Sequence, residues 1–172
     1  MKRNNKGFSL VELIAVLAIM AVALSVGGYA LSTISLANAK SCAADIESTL
    51  EWARIESMKN VDGAETAIIL NYDSAGNVMI ASAKISYEAD GNIVVDESSI
   101  NQKKIANSSV TITHRATKND TYQKLNTTGI IFSFNRSTGE FKEYGCQSMI
   151  VSGAGREFTI TCYKNTGKIQ VE

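Results

Sequence analysis

The sequence predicts an α+β protein: a long N-terminal helix packed on an antiparallel β-sheet head. Three observations carry this. Residues 8–31, FSLVELIAVLAIMAVALSVGGYAL, form an apolar run with one charge, Glu12. Apolar residues at helical spacing then continue to residue 59. After Asn60 the period becomes two, in segments rich in β-branched and aromatic residues.

The bulk properties allow this and exclude other classes. The 172 residues are 45% hydrophobic and 20% charged, enough for one packed domain plus an extended element. Formal charge is zero, so the whole chain carries no basic field of the kind nucleic acid attracts. The balance is uneven, because Lys2, Arg3 and Lys6 crowd the first seven residues and leave the rest mildly acidic. There is no proline, which permits a long unbroken helix.

The apolar run is long enough to cross a bilayer as a helix, which takes about 20 residues. The basic residues before it place the N-terminus in the cytoplasm and the rest of the chain outside. A secretory signal peptide also pairs basic residues with an apolar stretch. Here the run is too long, no small-x-small cleavage site precedes a polar start, and Glu12 lies inside it. A carboxylate within a membrane helix costs roughly 2.5–3.5 kcal/mol on insertion scales, so Glu12 is a functional candidate that calls for a positive partner. No basic residue lies one helical turn away. The partner must come from another molecule or from a newly made terminus.

Lys6-Gly7-Phe8-Ser9-Leu10-Val11-Glu12-Leu13 resembles the type IV prepilin signature, a short basic leader ending in Gly and followed by Phe-(Ser/Thr)-Leu-(Val/Ile)-Glu. The resemblance implies a pilin fold, cleavage between Gly7 and Phe8 by a prepilin peptidase, and N-methylation of Phe8. It also implies pairing of Glu12 with the Phe8 amine of a neighbouring subunit, delivered through an inner-membrane assembly platform. Residues 1–7 would then be a removed leader, 8–31 the transmembrane and polymerisation helix, 32–59 its amphipathic continuation, and 60–172 an extracellular or periplasmic head. Many pilins carry a proline where Tyr29 stands. This chain has Gly27-Gly28 before it, and adjacent glycines weaken a helix by roughly 1 kcal/mol each, marking an expected melting point on filament packing.

Cys42, Ile46, Thr49, Leu50 and Ala53 share one face of the continuing helix, with Asp45, Glu47, Glu51, Arg54 and Glu56 off it. A helix over residues 8–59 would be about 78 Å long. Trp52 flanks the stripe and reads as a packing residue. The head offers nine strand-like segments: TAIILNY, NVMIASAKISYEA, NIVVDE, SVTITHR, GIIFSFN, GEFKEYG, QSMIVS, EFTITCYK and KIQVE. Turn signals at residues 74–77, 90–92, 137–139 and 165–167 separate them. Residues 96–107 are polar and read as a loop. Gly129 to Gly139, then Glu157 to Thr161 and a closing Gly167-Lys168-Ile169-Gln170-Val171, resemble the GspH/FimT-like minor pseudopilins. That implies a minor subunit of a type IV pilus, a type II secretion pseudopilus or a competence filament.

Three cysteines leave several arrangements open. Cys146 and Cys162 flank a hairpin-sized stretch, and bridging them would contribute about 3 kcal/mol in the chain-entropy model. Cys42 could pair instead, all three could stay reduced, or Cys42, Cys146, Cys162 and His114 could form a structural zinc site. His114, the single histidine, reads as an exposed strand position and gives no basis for a catalytic triad. No phosphate-cradling glycine loop is present, and no cofactor or enzymatic activity is expected. The Asn-x-(Ser/Thr) triplets at Asn107, Asn119, Asn126 and Asn135 read as polar loop composition. Lys103, Lys104, Arg115, Lys118 and Lys124 could form a DNA-binding patch, against which stands the simpler reading of a solvated face.

Overall fold

The computed structural model describes residues 9–59, 65–88 and 92–172, the side chains of 26–31 excepted. Its elements are one helix, α1 (Leu10–Lys59), and ten strands. The strands are β1 (Glu65–Tyr72), β2 (Val78–Tyr87), β3 (Ile93–Ala106), β4 (Thr111–Arg115), β5 (Gln123–Lys124), β6 (Ile130–Phe134), β7 (Phe141–Tyr144), β8 (Ser148–Gly153), β9 (Arg156–Tyr163) and β10 (Lys168–Val171). The chain divides into two compact units, Met1–Ile34 and Ser35–Glu172. α1 supplies the described part of the first and, from Ser35 on, one wall of the second.

In the second unit the strands form two five-stranded sheets, ordered β3-β2-β1-β6-β7 and β10-β9-β8-β4-β5. The expected single sheet is thus corrected to two, every strand pairing among the described residues being antiparallel. Alternation shows why the second sheet forms. Ile112 opposes Val151, Met149 opposes Ile160 and Cys162 opposes Ile169, so one face is apolar. The other carries Thr111, Thr113, Ser152, Thr159 and Thr161, the apolar-in, polar-out pattern of a sheet covered on one side. From α1, Ala39, Cys42, Ala43, Ile46, Leu50 and Ala53 are buried at helical spacing. They share one core with Ile68, Leu70, Phe132 and Phe134 of the first sheet and Ile112, Met149, Val151 and Ile160 of the second. Each large aliphatic side chain buried there contributes about 1.5–3 kcal/mol.

Two expectations change at the strands. The polar stretch after Asp96 is the second half of β3, an edge strand broken by a bulge. Ser82 pairs with Asn101 and Lys84 with Asp96, leaving Ala83 without a partner on β3. The interrupted ladder is repaired by a side chain: Lys84 N–H donates to Ser99 Oγ at 2.7 Å. Polarity misleads here because an edge strand exposed to water needs few apolar side chains. Strand β5 is only Gln123–Lys124, too short for a periodic signal.

Turn glycines pin the helix to the head. Gly139 and Gly167 take φ of 69° and 62°, a region that favours glycine. The two turns lie back to back, since a Cβ on Gly167 would strike the Gly139 carbonyl. That same carbonyl accepts a hydrogen bond from Arg54 Nε at 3.0 Å.

Candidate assembly site at the helix N-terminus

Helix α1 begins with a reciprocal cap. The Ser9 carbonyl accepts the first helical hydrogen bond, from Leu13 N–H at 3.2 Å, which makes Ser9 the N-cap. Its Oγ accepts from Glu12 N–H at 3.2 Å, and Glu12 Oε2 accepts from Ser9 N–H at 3.3 Å. This is a capping box, in which a Ser and a Glu three residues apart satisfy two otherwise orphaned donors. The carboxylate also sits at the positive end of the helix dipole. Glu12 therefore has hydrogen-bond partners within its own chain, beside the cationic partner that its place in an apolar run calls for. Ser9 was the residue missed, although Ser-x-x-Glu before an apolar run is a readable signature. The cleavage residues Gly7 and Phe8 lie outside the described residues.

The helix beyond the cap is apolar all round. Leu10, Val11, Leu13, Ile14, Val16, Leu17, Ile19, Met20, Val22 and Leu24 are all exposed, from 48% at Val16 to 77% at Leu24. A helix apolar on every side suits lipid or the interior of an assembly, not water. Among the described residues no helix is long and apolar enough to cross a membrane. The described side chains of the apolar run end at Ser25, short of the ~20 residues a bilayer core requires. Helical backbone continues through Gly27 and Gly28, so the glycine pair does not interrupt α1 in the isolated chain.

The remaining sequence candidates do not converge into a second chemical centre. Cys42, Cys146 and Cys162 are all free and buried, so the expected Cys146–Cys162 bridge is not made. The thiols serve as small apolar core side chains. Burial pushes Cys42 and Cys162 up to about 12. Cys146 is raised too, by burial first and by the neighbouring Cys162 second. Among the described residues no three His, Cys, Asp or Glu side chains are placed to hold a metal, which corrects the zinc alternative with Cys42, Cys146, Cys162 and His114. His114 is half-buried, not exposed as its segment suggested. It stands opposite Met149 with Nδ1 buried and unpartnered, and burial lowers its basicity.

The five basic residues are split between the two sheets, with Lys103 and Lys104 on β3 and Arg115, Lys118 and Lys124 on or between the paired strands β4 and β5. Lys103 and Lys104 are on edge strand β3, and Lys103 lies 3.6 Å from Asp45. Arg115 on β4 stacks over Tyr122 at 4.7 Å and donates to the Lys118 carbonyl, while Lys124 on β5 lies 6.0 Å from the Tyr72 ring centre. Trp52 is not packed into the core as expected but stands 48% exposed. α1 turns Ala53 and Leu50 inward, and at 100° per residue Trp52 cannot share their direction.

Compared with known proteins, residues 2–27 match the family model described as a prokaryotic N-terminal methylation motif. The match spans the basic leader, Ser9, Glu12 and the apolar start of α1, and does not extend into the head. No curated protein and no solved structure matches the chain.

Proposed function

We propose that this chain, which carries the prepilin-type methylation motif over residues 2–27, is a membrane-anchored filament subunit of the type IV pilin and pseudopilin class. The observation that carries this is the coincidence of that motif with a capped helix start and a helix apolar on every side. The leader is clipped between Gly7 and Phe8 by a prepilin peptidase and Phe8 is N-methylated. The run over residues 8–31 spans the membrane once, with the N-terminus cytoplasmic and the head outside, until an inner-membrane assembly platform moves it into a surface pilus or pseudopilus beside other pilin subunits.

Chemistry couples the steps. Cleavage removes Lys2, Arg3 and Lys6 and creates one cation, the Phe8 amine, a single residue before the N–H that holds Glu12. Methylation keeps that amine protonated. In hydrocarbon neither charge has water as an alternative, so pairing a Glu12 carboxylate with a neighbour's amine favours contact between subunits. A carboxylate already capping its own helix enters the membrane with part of its charge solvated by the Ser9 N–H, which lowers the insertion cost.

A minor subunit suits the head. The glycines of the GspH/FimT-like resemblance, Gly129, Gly139 and Gly167, all take positive φ, and the last two meet back to back. A DNA-binding tip has less support, because the basic residues are split between the two sheets and Lys103 and Arg115 already face Asp45 and Tyr122.

Intact-mass and N-terminal analysis of the chain co-expressed with a prepilin peptidase tests the reading. A product beginning at N-methyl-Phe8 is expected, and Gly7→Leu should remain uncut. A chain retaining residues 1–7, or beginning anywhere else, would overturn it.

A further inference from the structure

The single tryptophan sits beside a cleft that the filament role does not use. Trp52 and Glu56, one turn apart on α1, form one wall. The floor comes from one face of the first sheet, where Thr66 opposes Lys84 and Ser82 opposes Asn101. The cleft has a volume of about 350 Å³, within the range of ~300–1,000 Å³ typical of small-ligand sites.

Three features mark it as built for a polar ligand. The β3 bulge borders it: Ala83, which has no partner on β3, and Ser99, which repairs the ladder, both line it. Bulges commonly occur where side chains are re-aimed beside a site. Polar groups are left without partners there. Thr66 is only 7% exposed, yet its hydroxyl makes no hydrogen bond among the described residues, and the side chains of Glu56 and Asn101 make none either. These unpaired groups offer donors and acceptors to a molecule seated in the cleft. The third feature is the indole, which keeps 48% of its surface exposed where a large aromatic would ordinarily be covered.

The geometry points to a saccharide-binding cleft that takes a neutral pyranose ring, independent of the filament reading. The chemistry is complementary part by part. An indole face packs against the apolar C–H face of a sugar. The Glu56 carboxylate accepts from ring hydroxyls, while the Asn101 amide and Thr66 hydroxyl both donate and accept. Glu56 and Lys84 balance in charge, so nothing selects a strongly anionic ligand. Lys84 is further held by the nearby Asp96, whose carboxyl it helps to lower.

The test uses the full-length chain in detergent micelles, titrated with cellotriose, chitotriose and maltotriose while Trp52 emission is followed. Because Trp52 is the only tryptophan, the signal reports this wall alone. A saturable shift with at least one trisaccharide is expected, with Kd on the order of 1 mM. Asn101→Ala and Glu56→Gln should each weaken it about tenfold, one hydrogen bond being worth about 1.4 kcal/mol. Both side chains lie outside the core, so the fold is retained. Saturation-transfer NMR with Trp52→Ala, expected to lose the sugar signal, checks the indole without fluorescence. No saturable shift with any of the three would overturn the proposal. So would equal affinity in both polar variants, or an emission change that follows protein concentration instead of sugar, which would make the face a contact between copies.

Discussion

Replacing Glu12 with glutamine separates two roles that one side chain performs at the start of α1. The capping hydrogen bonds are 3.2 and 3.3 Å long and exposed, which puts their worth at the low end, about 0.5–1 kcal/mol. Glutamine keeps an oxygen able to accept from Ser9 N–H, so most of the cap survives in Glu12→Gln. The charge is lost. A neighbour's Phe8 ammonium would then be left unpaired in an apolar contact, a penalty of about 2–5 kcal/mol per interface. That corresponds to incorporation falling by a factor between about thirty and a few thousand. Ser9→Ala has the opposite profile: the carboxylate remains, the cap weakens by about 0.5–1 kcal/mol, and incorporation should drop less than about fivefold. The assay is the ratio of sheared filament to membrane-bound subunit in cells that express the assembly machinery. Intact mass confirms that both variants are processed. If Glu12→Gln assembles at the wild-type level while Ser9→Ala does not, the carboxylate acts only as a cap, and coupling of cleavage to ion pairing is refuted.

Three further outcomes follow from the head. Gly153→Ala should destabilise it, because the new Cβ would stand 2.7 Å from the Ser35 carbonyl and 2.9 Å from Ala39 Cβ; overpacking of about 1–3 kcal/mol lowers Tm by ~2–4 °C per kcal/mol in a chain of this size, and an unchanged melting curve would contradict the close helix–strand approach. The three buried thiols should resist alkylation in the native chain at pH 8 and all react once it is unfolded without reductant; finding a single reactive thiol there would reveal a bridge. His114 is less basic in the fold than its ordinary 6.5, so the unfolded chain takes up its proton first as pH falls. Stability should thus be full above pH 6.5 and decline below it, apart from the lower-pH loss when Asp73 and Asp96, both held below the ordinary 3.8, are protonated. His114→Gln should flatten only the upper part of this decline in a Tm–pH series.

The sequence was most legible where periodicity and burial agree. The helix expected over residues 8–59 is found as Leu10–Lys59, with Phe8 outside the described residues, and Cys42, Ile46, Leu50 and Ala53 do face the core. Eight of the nine strand-like segments gave strands close to their limits, and the ninth, NIVVDE, gave only the first half of β3. Its second half was illegible because an edge strand in water obeys no apolar rule, and β5 because two residues have no period. The division into two sheets is a matter of which strands pair, which local pattern does not encode. At the helix start, Glu12 was chosen for its cost in an apolar run. The cap is legible only as Ser-x-x-Glu ahead of an apolar run, and its backbone N–H meets part of the carboxylate's need for a positive partner. Trp52 was misplaced because a stripe defined by small residues says little about the side chain next to it.

The bulged edge strand β3 has a consequence for growth. Long exposed strand edges recruit one another, and a subunit held at high local density in a membrane would be prone to sheet-to-sheet aggregation. Here the edge carries Asp96, Glu97, Lys103 and Lys104 and is broken opposite Ala83. A second copy therefore finds no continuous row of donors and acceptors to match. If the chain polymerises as proposed, this edge would compete little with helix-to-helix addition.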